Sequence, residues 1–247
     1  MRTIVLSTLA TLLAGVAVAE TPDPPIENTR LRVSTLVRED IFAGWMDNDM
    51  ERFARAENNL ERLLELRPKS KPEILSWLGA AKLYRAVLAH EAGNAKEFEQ
   101  YYQESRDLFG QARESGRNQL VVDILIGGSY LEFGDRLPKE YIAVAWSEAY
   151  DCYRTMWKRQ SRVVERMPLH IRGELLSGLA ESAERTGHDD ECNEFLDKIV
   201  ELLPDSQYEA AAVEWKTDPT ARANTRISCK YCHDEGKLES TVARLKD

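Results

Sequence analysis

Cys229-Lys230-Tyr231-Cys232-His233 places two thiols three residues apart with an imidazole directly behind them. Thiols at that spacing can add to the two vinyl groups on one edge of a porphyrin, which leaves two thioether bonds. The following histidine is then in place as the proximal ligand of the iron. A bare C-x-x-C has other uses, since it also closes as a disulfide or holds zinc. Adjacent Cys232 and His233 are awkward as two ligands of one tetrahedral ion, and no fourth ligand is evident. Because the chain has only four cysteines and four histidines, coincidence is a poor account of the full C-x-x-C-H. The expectation is one covalent haem c, held through Cys229 and Cys232, with His233 on the iron. The ligand on the opposite face is open among His90, His170, His188, Met46 and Met50. If none of them binds, the iron is five-coordinate or takes water, and the isolated protein is expected to be high-spin.

Haem is joined to such motifs outside the cytoplasm, so the amino terminus matters. Arg2 precedes a run from Ile4 to Val18 that is apolar or small and carries no charge. Ala17-Val18-Ala19 has the small-x-small form that a signal peptidase accepts. Residues 1–19 are read as a signal peptide and 20–30 as an N-terminal linker containing Pro22, Pro24 and Pro25. The implied location is the periplasm of a Gram-negative type bacterium, or the medium. No second apolar stretch is long enough to span a bilayer.

Charge narrows the partners. The chain carries 33 Lys+Arg against 42 Asp+Glu, a formal −9 at pH 7. Nucleic acid and anionic lipid are poor matches for that balance, whereas a basic protein surface suits it. Thirteen glycines and nine prolines are too few for a disordered or all-β chain. No Gly-rich phosphate loop, G-x-S-x-G elbow or H-E-x-x-H stands in the sequence, so no catalytic residues are nominated.

The elements that must position the motif read as helices throughout residues 31–216. Phe53, Ala56, Leu60, Leu63 and Leu64 recur at three and four before Pro68. Ile171, Leu175, Leu176, Leu179 and Ala183 do so again up to Gly187, followed by Cys192, Leu196, Ile199 and Leu203 before Pro204. Each stripe needs a partner to be buried, so hairpins are expected: Pro72–Glu91 with Ala95–Glu114, and Asn118–Phe133 with Lys139–Arg166. A short helix Gln207–Trp215 caps the last pair. The fold class is all-α, an array of about four antiparallel hairpins.

Gly44, Ala56, Leu60 and Pro68 resemble the small, large and proline positions of a tetratricopeptide repeat. Leu176, Leu179, Ala180, Ala183, Gly187, Cys192, Leu196, Ile199 and Pro204 resemble them again, with cysteine where that family prefers alanine. The resemblance implies a solenoid whose concave face docks a peptide or partner chain. Between the two matches the repeat pattern degrades.

Residues 217–247 read as linker and haem-bearing tail. Cys229-Lys230-Tyr231-Cys232-His233-Asp234 resembles the carboxyl-terminal motif of class II c-type cytochromes, including cytochrome c′. The likeness covers the terminal motif alone. Beyond His233 there is no methionine or histidine, unlike the small mitochondrial-type cytochrome c, which takes a downstream methionine.

Two further features need placing. Trp146, Tyr150, Tyr153 and Trp157 fall at i, i+4, i+7 and i+11, which reads as packing between long helices or as the wall of a groove faced by Tyr101, Tyr102 and Phe109. Cys152 and Cys192 lie on apolar faces, where free thiols pack as small hydrophobes, with a mutual disulfide as the rival in an exported protein. Two functions follow: an exported monohaem protein for electron transfer or redox or gas sensing, docking a partner through its repeats, or a non-enzymatic repeat scaffold whose C-x-x-C-H is a disulfide or zinc site.

Overall fold

The computed structural model describes residues 23–116, 119–228 and 236–245. Within them the chain is all-helical, with eleven α-helices and no strand. These are α1 Val33–Asp47, α2 Met50–Leu66, α3 Lys71–Glu91, α4 Ala95–Ser115, α5 Leu120–Phe133, α6 Lys139–Gln160, α7 Leu169–Arg185, α8 Asp189–Leu202, α9 Gln207–Thr217, α10 Pro219–Asn224 and α11 Lys237–Arg244. Consecutive helices pack as hairpin-like pairs: α1 on α2, α3 on α4, α5 on α6 and α7 on α8. The pairs join through α3 against α5 and α6 against α7, and α9 covers α8.

Local chemistry sets the ends of these helices. Asp49, Asn94 and Ser206 each accept a backbone N–H from the first turn of α2, α4 and α9. The sharp reversals after α3 and α7 use Gly93 and Gly187 at φ +73° and +75°, a conformation a Cβ would strain. Pro138 and Pro168 stand immediately before α6 and α7, where a missing N–H costs nothing.

Burial follows the helical period. Phe53, Ala56, Leu60 and Leu63 of α2 are fully buried, and Glu51, Glu61, Arg62 and Glu65 face outward. Leu175, Leu176, Leu179 and Ala183 do the same on α7, against Cys192, Leu196 and Ile199 of α8. Each large aliphatic side chain removed from water in this way contributes about 1.5–3 kcal/mol before entropic costs. Ile171 departs from the expected stripe and remains half exposed. Its face of α7 is covered from Leu175, one turn later, and Tyr153 lies against Gly178 a turn beyond.

Close helix approach depends on small residues. A Cβ on Gly44 would stand 2.6 Å from Phe53, and one on Gly127 would stand 2.8 Å from Cys152. The same closeness lets hydroxyls reach helix carbonyls: Tyr84 donates to Gly44 O at 2.8 Å and Ser105 to Gly79 O at 2.8 Å. The α1–α2 pair is also clasped by charge: buried Asp40 accepts from Arg52 at 2.9 Å and from Arg55 at 2.8 Å. A buried carboxylate so paired avoids the penalty of an isolated charge.

The aromatic stripe of α6 lies between hairpins. Trp146 and Tyr153 are buried, and Tyr150 and Trp157 partly so. Trp146 donates to Asp135 at 2.7 Å, Tyr150 stacks on His188 at 4.4 Å, and Trp157 meets Phe195 edge-on at 5.3 Å. Tyr141, which precedes the stripe, reaches α4, meeting Tyr102 at 4.6 Å. The stripe is inter-hairpin packing.

Candidate functional site

The signal-peptide reading and the site residues Cys229, Cys232 and His233 lie outside the described residues. What the structure does describe is how the chain reaches that motif and how it leaves it.

On the upstream side, the segment read as a tether is held along the body. α10 starts on Asp218, whose carboxylate accepts Thr220 N at 2.8 Å. Arg222 returns to Trp215 O at 2.7 Å and to Asn193 at 2.9 Å. Arg226 donates to Leu131 O and to Glu132 O at the carboxyl end of α5. Ile227 and Ser228 are buried, and both give their backbone N–H to Glu181 Oε1, at 2.5 and 2.6 Å. Ser228 Oγ adds a third bond to the same oxygen at 2.9 Å, and Arg226 Nε stands 3.5 Å from the other. Glu181 is itself buried in α7, so the residue preceding Cys229 is pinned to the interior side of that helix.

On the downstream side, Leu238 N donates to Glu39 Oε1 of α1 at 2.6 Å. At the far end of α11, Leu245 O accepts from Arg30 at 2.9 Å. These two bonds lay α11 antiparallel to α1, with its amino end at Glu39. Between α1 and α11 runs a polar groove lined by Thr35, Arg38 and Glu39 on one side and Lys237, Thr241 and Arg244 on the other.

The two anchors are linked by aromatic residues. Phe133, which follows the carbonyls held by Arg226, meets Trp45 of α1 edge-on at 5.0 Å. Trp45 in turn touches Phe42 at 4.6 Å, Tyr84 at 6.4 Å and Trp77 at 6.5 Å. The indole N–H groups of Trp45 and Trp77 are buried without an acceptor. A buried donor left in that state costs roughly 1–3 kcal/mol.

The candidate axial ligands are scattered. His188 stacks on Tyr150, and its Nδ1 lies 2.8 Å from Thr186 Oγ1 at the start of α8. His170 Nδ1 lies 3.2 Å from the Tyr208 hydroxyl. His90, in the last turn of α3, faces Phe98 of α4. Met50 packs partly buried against the core. Met46, near the end of α1, is 47% exposed. Among the described residues no group of three or more His, Cys, Asp or Glu could hold a metal ion. Cys152 and Cys192 are buried, free and unbridged. Burial pushes the Cys152 thiol up to about 12, against the pull of Arg113 at 3.4 Å, and that of Cys192 up to about 11.

Glu181, Arg226 and Glu39 were not singled out from the sequence. The signal was present for Glu181: a lone carboxylate inside Gly178-Leu179-Ala180-Glu181-Ser182-Ala183 lies among residues that bury. What it binds lies 46 and 47 residues away, which periodicity cannot supply.

No family model matches the chain, and no curated protein or solved structure matches it. No helix among the described residues is long and apolar enough to cross a membrane.

Proposed function

We propose that this chain is an exported monohaem c-type protein in which an array of tetratricopeptide-like hairpins carries and presents a haem-bearing segment to a partner. Cys229 and Cys232 would form the thioethers and His233 would ligate the iron. When bound, the haem supplies a one-electron iron couple suited to electron transfer or to redox or gas sensing. The observation that carries the reading is the double anchoring of the motif: Ile227 and Ser228 on buried Glu181, and Leu238 on Glu39.

The chain's own groups suit that task. Glu181 and Arg226 fix the entry to Cys229 against α5 and α7, and Glu39 fixes the exit behind His233. Phe42 and Trp45 offer an aromatic surface between those anchors, which can exclude water from a planar apolar group. The repeat-like arrangement is supported by pairwise hairpins that stack in chain order, with small residues at Gly44 and Ala180 where helices close on one another. The acidic balance of the chain favours a basic docking partner.

The test is co-expression of the full chain with a haem-attachment system, followed by a denaturing gel stained for haem peroxidase activity. A haem-positive band that disappears in a Cys229→Ser/Cys232→Ser variant is expected. A colourless band from cells that mature another c-type protein in parallel contradicts the proposal.

A further inference from the structure

We propose that the edge of the array formed by the starts of α5 and α7 and the end of α6 is a docking surface for an anionic phospholipid membrane. This goes beyond the haem reading and does not depend on it.

Three helices meet at that edge. α6 gives way to a 3-10 turn, Ser161–Arg166, and Pro168 then starts α7. Arg159 near the end of α6 stands 3.9 Å from Asp123 in the first turn of α5, which brings the beginning of α5 alongside. Arg172 of α7 donates to Glu165 O at 2.9 Å and so ties the turn to the helix that follows it. Buried Val164 pegs the turn in the core. The edge therefore has its shape before any partner arrives.

Two kinds of side chain are left outside. Of the eight large apolar side chains exposed among the described residues, four fall here: Ile124 at 46%, Val163 at 44%, Leu169 at 50% and Ile171 at 49%. Beside them stand Lys158, Arg162 and Arg166, all exposed and forming no ion pair among the described residues. The three-residue period of the turn puts Val163 and Arg166 on one side of it. From residue 158 to residue 172 the chain carries five Lys or Arg against the single Glu165, in a molecule whose formal charge is −9. Acidic groups on other faces are screened beyond about 8–10 Å at physiological ionic strength, so the local sign governs contact.

Basic residues interleaved with aliphatic ones suit the boundary between headgroups and acyl chains. Guanidinium groups meet phosphate there, and the aliphatic tips leave water. A protein partner is a poorer match, since the anchors of protein interfaces are rich in Trp and Tyr and poor in Leu and Val. None of the four apolar side chains at this edge is aromatic.

Cosedimentation of the full chain with vesicles tests the proposal, with about one-third phosphatidylglycerol in phosphatidylcholine against phosphatidylcholine alone. An apolar run such as Ile4–Val18 does not distinguish the two, so the readout is the dependence on anionic lipid. The wild type is expected to pellet preferentially with the anionic vesicles and to lose that preference at about 0.5 M salt. Arg162→Gln/Arg166→Gln should weaken binding about 25-fold, at about five-fold per charge. Val163→Ser/Leu169→Ser should also weaken it, with helical content unchanged by circular dichroism. Lys69→Gln/Lys139→Gln, which removes two exposed charges elsewhere, should change binding by less than about two-fold. Equal pelleting with both kinds of vesicle, or full binding by Arg162→Gln/Arg166→Gln, overturns the proposal. So does a mass in light scattering that rises with concentration in the wild type but not in that variant, without vesicle binding, because it assigns the edge to a second copy of the chain.

Discussion

Single residues in this chain are set by burial more than by partner choice. Cys152 and Cys192 illustrate it: both thiols are sealed inside hairpins and held neutral, so neither is poised as a nucleophile. Iodoacetamide at pH 8 should leave both unmodified in the native protein and alkylate both in denaturant, as read by peptide mass. Rapid native alkylation of either would contradict their placement. Glu132 gives a pH prediction. Burial raises its carboxyl above the usual range, and Arg226 only partly opposes that. The folded state thus holds this proton more tightly than the unfolded chain. Its stabilisation is present below the ordinary glutamate range and is lost as pH rises through the elevated folded value. Glu132→Gln should therefore remove part of the fall in stability from about pH 4 upward, measured by denaturant unfolding across pH. A slope identical to the wild type would count against it. That the two thiols pack as hydrophobes was legible in the sequence, because each sat on an apolar stripe. The shift at Glu132 was not, since the burial that raises it comes from tertiary packing, and Arg226, which opposes it, lies 94 residues away.

At the scale of elements, helix contact is governed by where a side chain is missing. Gly44→Ala would push a methyl into Phe53 and should cost about 1–3 kcal/mol in urea unfolding. Gly110→Ala, on α4 with open space around it, should instead stabilise by about 0.5–1 kcal/mol through helix propensity alone. Equal effects at the two sites would show that close packing is not what Gly44 serves. The helices themselves were readable from period and punctuation: the hairpin starting near Pro72 emerges within a residue or two of its expected ends, whereas the helix from Lys139 starts where expected but ends at Gln160, with a 3-10 helix continuing to Arg166. Within the stretch expected as a linker, residues 217–228 have the Thr, Asn and Asp content of a loop but include α10. The buried Ala221, Ile227 and Ser228 of this stretch gain their places from Glu181, Arg226 and Trp215, contacts that no local window contains. Glu181→Ala should expose this weakness, leaving two backbone N–H groups and the Ser228 hydroxyl without their acceptor. A loss of about 1–3 kcal/mol is expected, together with early proteolytic cleavage between residues 216 and 228.

For the whole molecule, the account is that an array of hairpins grips both ends of a seven-residue stretch and offers an aromatic face between the grips. The motif within that stretch was the clearest chemical statement in the sequence, and the array was legible as stacked helical pairs. Their connection was not legible, because it depends on Glu39 and Glu181 holding residues 199 and 47 positions away. The most direct measurement is the intact mass of the chain purified from the periplasm of cells able to attach haem. One added haem per chain that survives denaturation and reduction is the predicted result. A reducible two-hydrogen deficit at Cys229 and Cys232, or bound zinc, with no macrocycle would contradict it.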